Sequence, residues 1–476
     1  MNQEAPKSPI TRWLDHHQRE TSAGSTIVFS SYAMLAAFAT YFCMYAFRKP
    51  FAAATYEGLE FLGTGLTLKA TFLISQIIGY TISKYLGCKY CSEISRSKQA
   101  RVLVAMIVVA ELSLLAFAVL PANLKVLAIF VNGLPLGMVW GLVSRYLEGR
   151  KTAELLFAGL SCSYIVASSS VKTVGSWIMG QGIDEFWMPV VTGAIFFLPY
   201  IAAVFFLNQL PLPSEQDEAS RNKRTTMDSQ DRMTFLKQFM GGMLMLLLLY
   251  FFLTAYRDFR DNYMREVFTA MGYGNEPALF SKADLPVAFG IMIVMALLNL
   301  AKDHRRGLVA VFGVMITGML LMAGATVLKD MDKISGLWWM ILIGFGAYLA
   351  YVPFGAVLFE RIMASTKAAG TAVFAIYLCD ALGYTGSVGI QLYKDLGQAE
   401  LDYFEFLRLF TYFMAILGTV LFILSAIYFY GKSRSHLSVG AAELASPDEA
   451  DTSIPQSPLG REYVDGLGDM YSDLEE

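Results

Sequence analysis

The chain has 476 residues, of which 55% are hydrophobic and only 16% are charged. Soluble globular proteins carry about 25% charged residues, so this composition argues against a soluble enzyme and predicts a polytopic helical membrane protein. The formal net charge of −3 does not indicate a nucleic-acid partner, and the five cysteines, an odd number, do not indicate a disulfide framework.

Twelve apolar segments of the sequence are long enough to cross a bilayer as helices. Residues 1–26 are polar and mixed in charge, and they predict a cytoplasmic N-terminal segment. The apolar run that follows is too long for the core of a signal peptide, so we expect an uncleaved membrane helix there. The predicted helices are 27–54, 66–87, 101–120, 124–146, 154–179, 187–208, 238–265, 284–301, 307–328, 335–359, 367–393 and 404–430.

Two polar segments organise these helices. Residues 209–237 are mixed in charge and predict a cytoplasmic linker between two six-helix halves, 27–208 and 238–430. Residues 431–476 are rich in Ser, Pro, Asp and Glu and predict a disordered acidic cytoplasmic tail. Channels and membrane enzymes also reach twelve spans, but two halves joined by a long linker are typical of the major facilitator fold. We therefore expect an all-α membrane protein with that fold.

The distribution of Lys and Arg predicts the orientation in the membrane. The loops after the second, fourth and eighth helices and the central linker are rich in these residues. In contrast, the loop after the third helix has Lys125 alone, and the loop after the fifth has Asp184 and Glu185. Both termini are therefore predicted to be cytoplasmic, in a multi-pass protein of the cell (inner) membrane.

Charged side chains inside the predicted helices are the candidate functional groups, because each costs about 2.5–3.5 kcal/mol at the bilayer centre on insertion scales. In the first helix, spacings of four and three place Tyr41, Tyr45 and Arg48 on one face. The planar guanidinium fits a phosphate or a carboxylate. The alternative is a belt of Tyr and Arg at the membrane interface, with no solute to bind.

Polar stripes also run along the second and fifth helices. Gln76, Tyr80 and Lys84 recur at every fourth residue, so a cation ends that stripe. Tyr164 and Lys172 lie on a stripe of the fifth helix, which places Lys172 in the outer half of the membrane. Lys172 is either a ligand for an anion or the partner of a buried acid. Alternatively, each of the two lysines reaches the headgroups at its end of the helix.

Two arginines of the seventh helix, Arg257 and Arg260, lie three residues apart at a depth similar to that of Arg48. Because the first and seventh helices begin the two halves, these arginines are expected to face one another across the central axis. The alternative is local pairing with acids at the outer end of the seventh helix. Local pairing of this kind can hold for one arginine while the other reaches the cavity.

Asp380, in the middle of the eleventh helix, is predicted to be a proton carrier or the partner of a buried cation. Lys172 lies in the other half, and we expect the two groups to approach one another in one conformation. Together the buried charges are more positive than negative, which favours an anionic solute.

These residues resemble the organophosphate:phosphate antiporter family, the glycerol-3-phosphate and hexose-phosphate transporters. The stretch YFCMYAFRKPFA is similar to the family motif Y-x-x-x-Y-x-x-R-K-x-F-A, and GYTISKYLGCKYCSEISRSKQARV resembles its Y-x-x-S-K signature and the loop that follows. The resemblance implies that the phosphate site is lined by Tyr41, Tyr45, Arg48, Tyr80 and Lys84.

The resemblance also implies a seventh-helix arginine, matched best by Arg257 and alternatively by Arg260. The sequence departs from the family at three positions. Tyr164 stands where the family has a histidine, and Lys172 and Asp380 match none of its functional positions. These departures leave the substrate and the mode of coupling open.

The sequence therefore predicts secondary transport of a small organic anion, a phosphorylated metabolite, by alternating access. Coupling is either exchange with phosphate or proton transfer through Asp380. The alternative is a non-transporting sensor for the same anions, although no signalling domain is fused to the chain. No nucleophile–base pair or metal cluster is visible, so neither an enzyme nor a cofactor is expected. The expected partners are the small anionic solute and the lipid bilayer, and the expected state is a monomer.

Overall fold

The computed structural model describes residues 8–20, 22–215, 217, 233, 235, 237–274, 276–301, 303–366, 372–398 and 400–445. Most of the predicted linker and the part of the predicted tail beyond Ala445 lie outside these described residues. Residues Met1–Lys432 form one compact unit. The second unit, Ser433–Glu476, is described only as the continuation of the last helix to Ala445.

The described part of the chain is almost entirely helical, and its single β-bridge joins Glu60 to Thr67. The first six membrane helices are α2 to α7, and the last six are α8, α10, α11, α12, α14 and α15. The helices are α1 (Pro9–Arg19), α2 (Ala23–Met44), α3 (Leu68–Glu93), α4 (Arg96–Val119), α5 (Ala122–Ser144), α6 (Ala153–Gly180), α7 (Met188–Asn208), α8 (Met240–Asn262), α9 (Met264–Ala270), α10 (Ala278–Asn299), α11 (His304–Asp330), α12 (Gly336–Pro353), α13 (Phe359–Thr366), α14 (Ala372–Leu392) and α15 (Tyr403–Ala445).

Ten of the described helices are long and apolar enough to cross a membrane. The other two members of the predicted twelve, α3 and α14, have 26 and 21 residues. Either length spans a hydrocarbon core of about 30 Å. These two helices carry Lys69, Lys84 and Asp380, so they bring ionisable groups into the bundle.

The first membrane helix ends earlier than the predicted range 27–54. Regular α-helix stops at Met44, and two 3₁₀ turns, Tyr45–Phe47 and Pro50–Ala53, complete the crossing. Proline has no N–H group to donate to the carbonyl four residues earlier, and its ring clashes with that carbonyl, so a regular α-helix cannot continue through Pro50. Arg48 therefore lies at an interruption of the helix rather than on a regular helical face.

Glycines bring α3 and α5 into backbone contact. A Cβ atom on Gly133 would lie 2.4 Å from the carbonyl oxygen of Gln76, and one on Gly79 would lie 2.3 Å from the carbonyl oxygen of Phe130. Only glycine leaves room for such an approach. The contact fixes the position of the polar stripe of α3 relative to α5.

We expect Gly133→Ala to lower the thermal stability of the purified protein, because the added methyl group must push α3 from α5 at a cost of about 1–3 kcal/mol. The matched control is Gly313→Ala on α11, where a Cβ atom would meet no atom within 4 Å. This control should leave the melting temperature unchanged or raise it, since alanine favours helix. Equal melting temperatures for the two variants would contradict the backbone contact.

Candidate functional site

A cavity of about 230 Å³ lies between the first six and the last six membrane helices. Its wall is built by α2, α3, α5 and α6 on one side and by α8, α12 and α14 on the other. Eight of the ten residues that the sequence analysis selected lie on this wall. They are Tyr41, Tyr45, Arg48, Tyr80, Lys84, Tyr164, Arg257 and Asp380.

The cavity extends to one end of the bundle. Its lining includes Gly87 near the end of α3, Glu148 in the loop after α5, and Glu360 on α13. These positions lie at the face that the Lys and Arg distribution predicts to be cytoplasmic. We call this end the predicted cytoplasmic face and the opposite end the predicted external face.

Among the described cations of the cavity, Arg48 has the positive charge that neighbouring groups neutralise least. Its side chain is 6% exposed, and its Cζ atom lies 4.0 Å from the ring centroid of Tyr80 and 5.6 Å from that of Tyr45. Its Nε atom is buried without a hydrogen-bond partner, and no ion pair to Arg48 exists among the described residues. A buried charge without a counter-ion is unfavourable.

The backbone around Arg48 is held by two amide side chains. Gln76 on α3 donates to the carbonyl oxygen of Arg48 at 2.9 Å, and Asn132 on α5 donates to that of Phe47 at 3.0 Å. Gln76 also donates to the Asn132 side chain at 2.8 Å. These bonds satisfy carbonyl groups that the broken helix leaves without helical partners. Gln76 belongs to the predicted polar stripe of the second helix, whereas Asn132 was not predicted, because it lies in a helix without such a stripe.

Arg257 reaches the cavity from α8. Its Nη2 atom donates to Asp258 at 2.6 Å, and Asp258 accepts a further bond from Ser387 at 2.9 Å. Its Cζ atom lies 4.2 Å from the ring centroid of Tyr351. Arg257 therefore has a fixed orientation and part of its charge is neutralised, unlike Arg48.

Lys84 and Asp380 form an ion pair at 2.5 Å that joins α3 to α14. The hydroxyl group of Tyr250 donates to Asp380 at 2.8 Å and lies 3.0 Å from the hydroxyl group of Tyr351. This network links the first six helices to the last six within the cavity. In this conformation Asp380 pairs with Lys84 and not with Lys172, so the approach of Asp380 and Lys172 in another conformation stays a prediction.

Aromatic rings cover another part of the wall. Tyr41 lies 5.0 Å from Trp140, Trp140 lies 6.3 Å from Tyr164, and Tyr164 lies 6.5 Å from Tyr351, measured between ring centroids. The sequence analysis missed Trp140 and Tyr351, together with Tyr250 and Tyr384. Aromatic residues are common in membrane helices, so single rings gave no signal in the sequence.

Arg260, selected as an alternative to Arg257, does not line the cavity. Its Nη2 atom donates to Asp284 at 2.9 Å and to the carbonyl oxygen of Met340 at 2.8 Å. The guanidinium lies against Gly344, where a Cβ atom would be 2.4 Å from Nη2. The predicted helix began at residue 284, whereas α10 begins at Ala278 and buries Asp284.

Lys172 is also absent from the cavity wall. Its side chain is fully buried, and its Nζ atom donates to both the side chain and the carbonyl oxygen of Asp261 at 2.6 Å each. The alternative in which Lys172 reaches the headgroups is therefore wrong. The other prediction, that Lys172 is the partner of a buried acid, agrees with its ion pair to Asp261.

The predicted external face is closed by polar contacts between the first and last six helices. Lys49 pairs with Asp261 at 2.6 Å, and Lys69 pairs with Glu266 on α9. Thr67 donates to Asp395 at 2.9 Å. The cavity is thus open toward one face of the bundle and closed at the other.

The charges of the cavity are separated by depth. Among the residues that the structure describes, its wall carries three cations and three carboxylates. Two of the carboxylates, Glu148 and Glu360, lie where the cavity meets the predicted cytoplasmic face. The deep part holds Arg48, Lys84 and Arg257 against Asp380 and against Asp258, the partner of Arg257, so the cations there still outnumber these carboxylates by one. Such a region attracts anions.

Comparisons with known proteins give a family and a fold. A family model described as "Family of unknown function (DUF5690)" matches residues 50–432. Comparison with curated proteins found no match. The structure is similar to a solved one titled "Crystal structure of D-xylose-proton symporter", with a TM-score of 0.54 and 14% sequence identity, over 85% of this chain and 97% of that one. At this identity the likeness concerns the fold, and it confirms the predicted major facilitator fold.

Proposed function

Because the chain belongs to a family of unknown function (DUF5690), we propose its function from its own cavity: secondary transport of a small organic anion by alternating access. The solute binds between the first and last six helices. The halves then rock to expose it to either side of the membrane. The D-xylose-proton symporter shares the fold, but the solute differs because the deep cavity here is positive.

The observation that supports an anion is the buried guanidinium of Arg48 without a counter-ion. An oxyanion at this position would receive charge-assisted hydrogen bonds from Arg48. Lys84 and Arg257 lie on the same cavity wall and add positive charge. A phosphoryl group carries more charge and more acceptor oxygens than a carboxylate does, so a phosphorylated metabolite is the proposed substrate.

The aromatic wall accounts for the organic part of the solute. Trp140, Tyr164 and Tyr351 offer apolar ring faces, and the tyrosines add hydroxyl groups. Ligand sites commonly combine such surfaces with a few charged groups that fix orientation. The cavity therefore suits a small molecule with one charged end and a polar body.

Exchange for inorganic phosphate is the proposed mode of coupling. The ion pair of Asp380 with Lys84 supports exchange, because protonation of Asp380 would remove the negative charge that faces Lys84 across the two halves. Proton coupling is the second candidate, since Asp380 is a carboxylate on the cavity wall at the junction between the halves. We further propose a monomer in the cell (inner) membrane with both termini cytoplasmic, so that the cavity opens to the cytoplasm.

Counterflow in proteoliposomes tests the proposal. Vesicles loaded with unlabelled phosphate should take up labelled phosphate, and external sugar phosphates should compete better than carboxylates or neutral D-xylose. Uptake that follows an imposed pH gradient without internal phosphate would favour proton coupling. Binding of anions with no counterflow under any condition would overturn transport and favour the sensor.

A further inference from the structure

A compact cluster of donors surrounds the carboxylate of Asp261 near the predicted external face. The Nζ atoms of Lys49 and Lys172 each donate to it at 2.6 Å. The hydroxyl group of Ser168 lies 2.7 Å from one carboxylate oxygen and 2.9 Å from the other. Asp261 belongs to α8, whereas all three donors belong to the first six helices or to the turn that follows α2.

The cluster has the composition of an oxyanion-binding site. Each oxygen of the carboxylate has its own lysine, and the serine lies between them. Lys172 is 0% exposed, Ser168 is 3% exposed and Lys49 is 7% exposed, so the donors are desolvated and fixed in position. Two lysines against one carboxylate leave a net positive charge, which favours an anionic occupant even when Asp261 is present.

The cavity does not use these residues, since neither Lys49 nor Lys172 lines it. They become important when the halves separate at the predicted external face. Asp261 then leaves with α8, and both lysines remain on the first six helices without their counter-ion. A buried or partly buried cation in that state needs a replacement anion.

We propose that Lys49, Ser168 and Lys172 form a second anion-binding site, which takes a small oxyanion from the external side. Asp261 occupies this site as an intramolecular ligand in the closed conformation. An external phosphate or phosphoryl group competes with Asp261 and thereby promotes opening toward the outside. The inference rests on the proposed alternating access, but the site itself is separate from the Arg48 cavity.

The pair of Lys69 with Glu266 provides a matched comparison. It also joins the first six helices to the last six at the predicted external face. Lys69 donates in addition to the carbonyl oxygen of Ala52 at 3.0 Å. No second cation is paired with Glu266 among the described residues. Removing the charge of Glu266 therefore weakens the contact at the predicted external face, but it does not leave two lysines without a counter-ion.

Phosphate binding to the purified full-length protein tests the site directly. The Arg48→Ala background removes the cavity arginine, so that binding there does not obscure the result. In this background, Asp261→Asn should lower the phosphate concentration that gives half-maximal thermal stabilisation by at least about tenfold, the effect of one charged hydrogen bond. Adding Lys172→Gln should abolish this increase in apparent phosphate affinity. Glu266→Gln in place of Asp261→Asn should leave the phosphate concentration for half-maximal stabilisation unchanged.

A labelling experiment covers the case in which Asp261→Asn does not fold. A cysteine at Thr173, which bonds to Ser281 across the closed face at 2.8 Å, is introduced into a cysteine-free protein in proteoliposomes. External phosphate should accelerate its reaction with a membrane-impermeant thiol reagent, also in the Arg48→Ala variant. Lys172→Gln should remove the acceleration.

Absence of a phosphate effect in both experiments, or an effect that survives Lys172→Gln, would overturn the second site. Failure of the proposed transport has a different signature. Counterflow would then be absent while phosphate still stabilised the Asp261→Asn variant.

Discussion

Replacement of Arg48 by lysine is expected to lower anion uptake at least about tenfold while the protein still folds. Lysine keeps the positive charge but loses the planar pair of donors. One hydrogen bond to a charged group contributes about 1.5–3 kcal/mol, which corresponds to about 10- to 100-fold in affinity. Arg48→Ala should abolish uptake. The measurement is initial uptake of labelled phosphate in proteoliposomes, with folding checked by size-exclusion chromatography.

The matched control is Arg408→Lys. Arg408 lies on α15 and is 29% exposed, where it pairs with Asp330 and Glu405. Exposed ion pairs contribute only about 0–1 kcal/mol, so this variant should transport normally. Wild-type uptake by a well-folded Arg48→Ala variant would remove Arg48 from the binding site.

The second large effect is expected at the ion pair between Lys84 and Asp380. Removing one partner of a fully buried pair costs about 3–5 kcal/mol, and the side chains of Lys84 and Asp380 are only 13% and 15% exposed. Lys84→Ala and Asp380→Ala should therefore each lower the melting temperature and the uptake rate sharply. The double variant should recover much of the melting temperature. A strongly non-additive mutant cycle is the expected result.

The exposed pair of Arg408 with Asp330 serves as the control cycle and should be nearly additive. Additive losses for Lys84 and Asp380 would show that the two charges act separately. Uptake by Asp380→Asn then distinguishes the coupling modes. An exchanger with this substitution should keep the same response to a pH gradient as the unmodified protein, whereas a proton-coupled carrier should lose that response.

Much of the fold and the charged groups of the deep cavity were predictable from the sequence. Apolar length indicates membrane helices, and polar stripes at helical spacing identify the faces that meet. Eight of the ten selected residues line one cavity for this reason. The break in α2 changes only the local geometry, because Tyr41, Tyr45 and Arg48 still face inward.

The partners of buried charges were less predictable. Lys172 and Asp380 each bind a group on another helix, and helix spacing in one segment does not reveal which helices touch. Arg257 and Arg260 are equivalent candidates in the sequence. Their difference arises because Gly344 and Asp284 form a pocket for Arg260 alone.

Helix α3 carries an ion pair at each of two levels of the membrane. Lys69 and Lys84 are fifteen residues apart on it, which is about 22 Å along the axis. If α3 tilts by about ten degrees around a pivot at Lys84, Lys69 moves by about 4 Å over that lever arm. This displacement breaks the contact with Glu266 but leaves the pair with Asp380 intact. The Lys84–Asp380 pair is then the pivot of the tilt, and the two halves separate at the predicted external face.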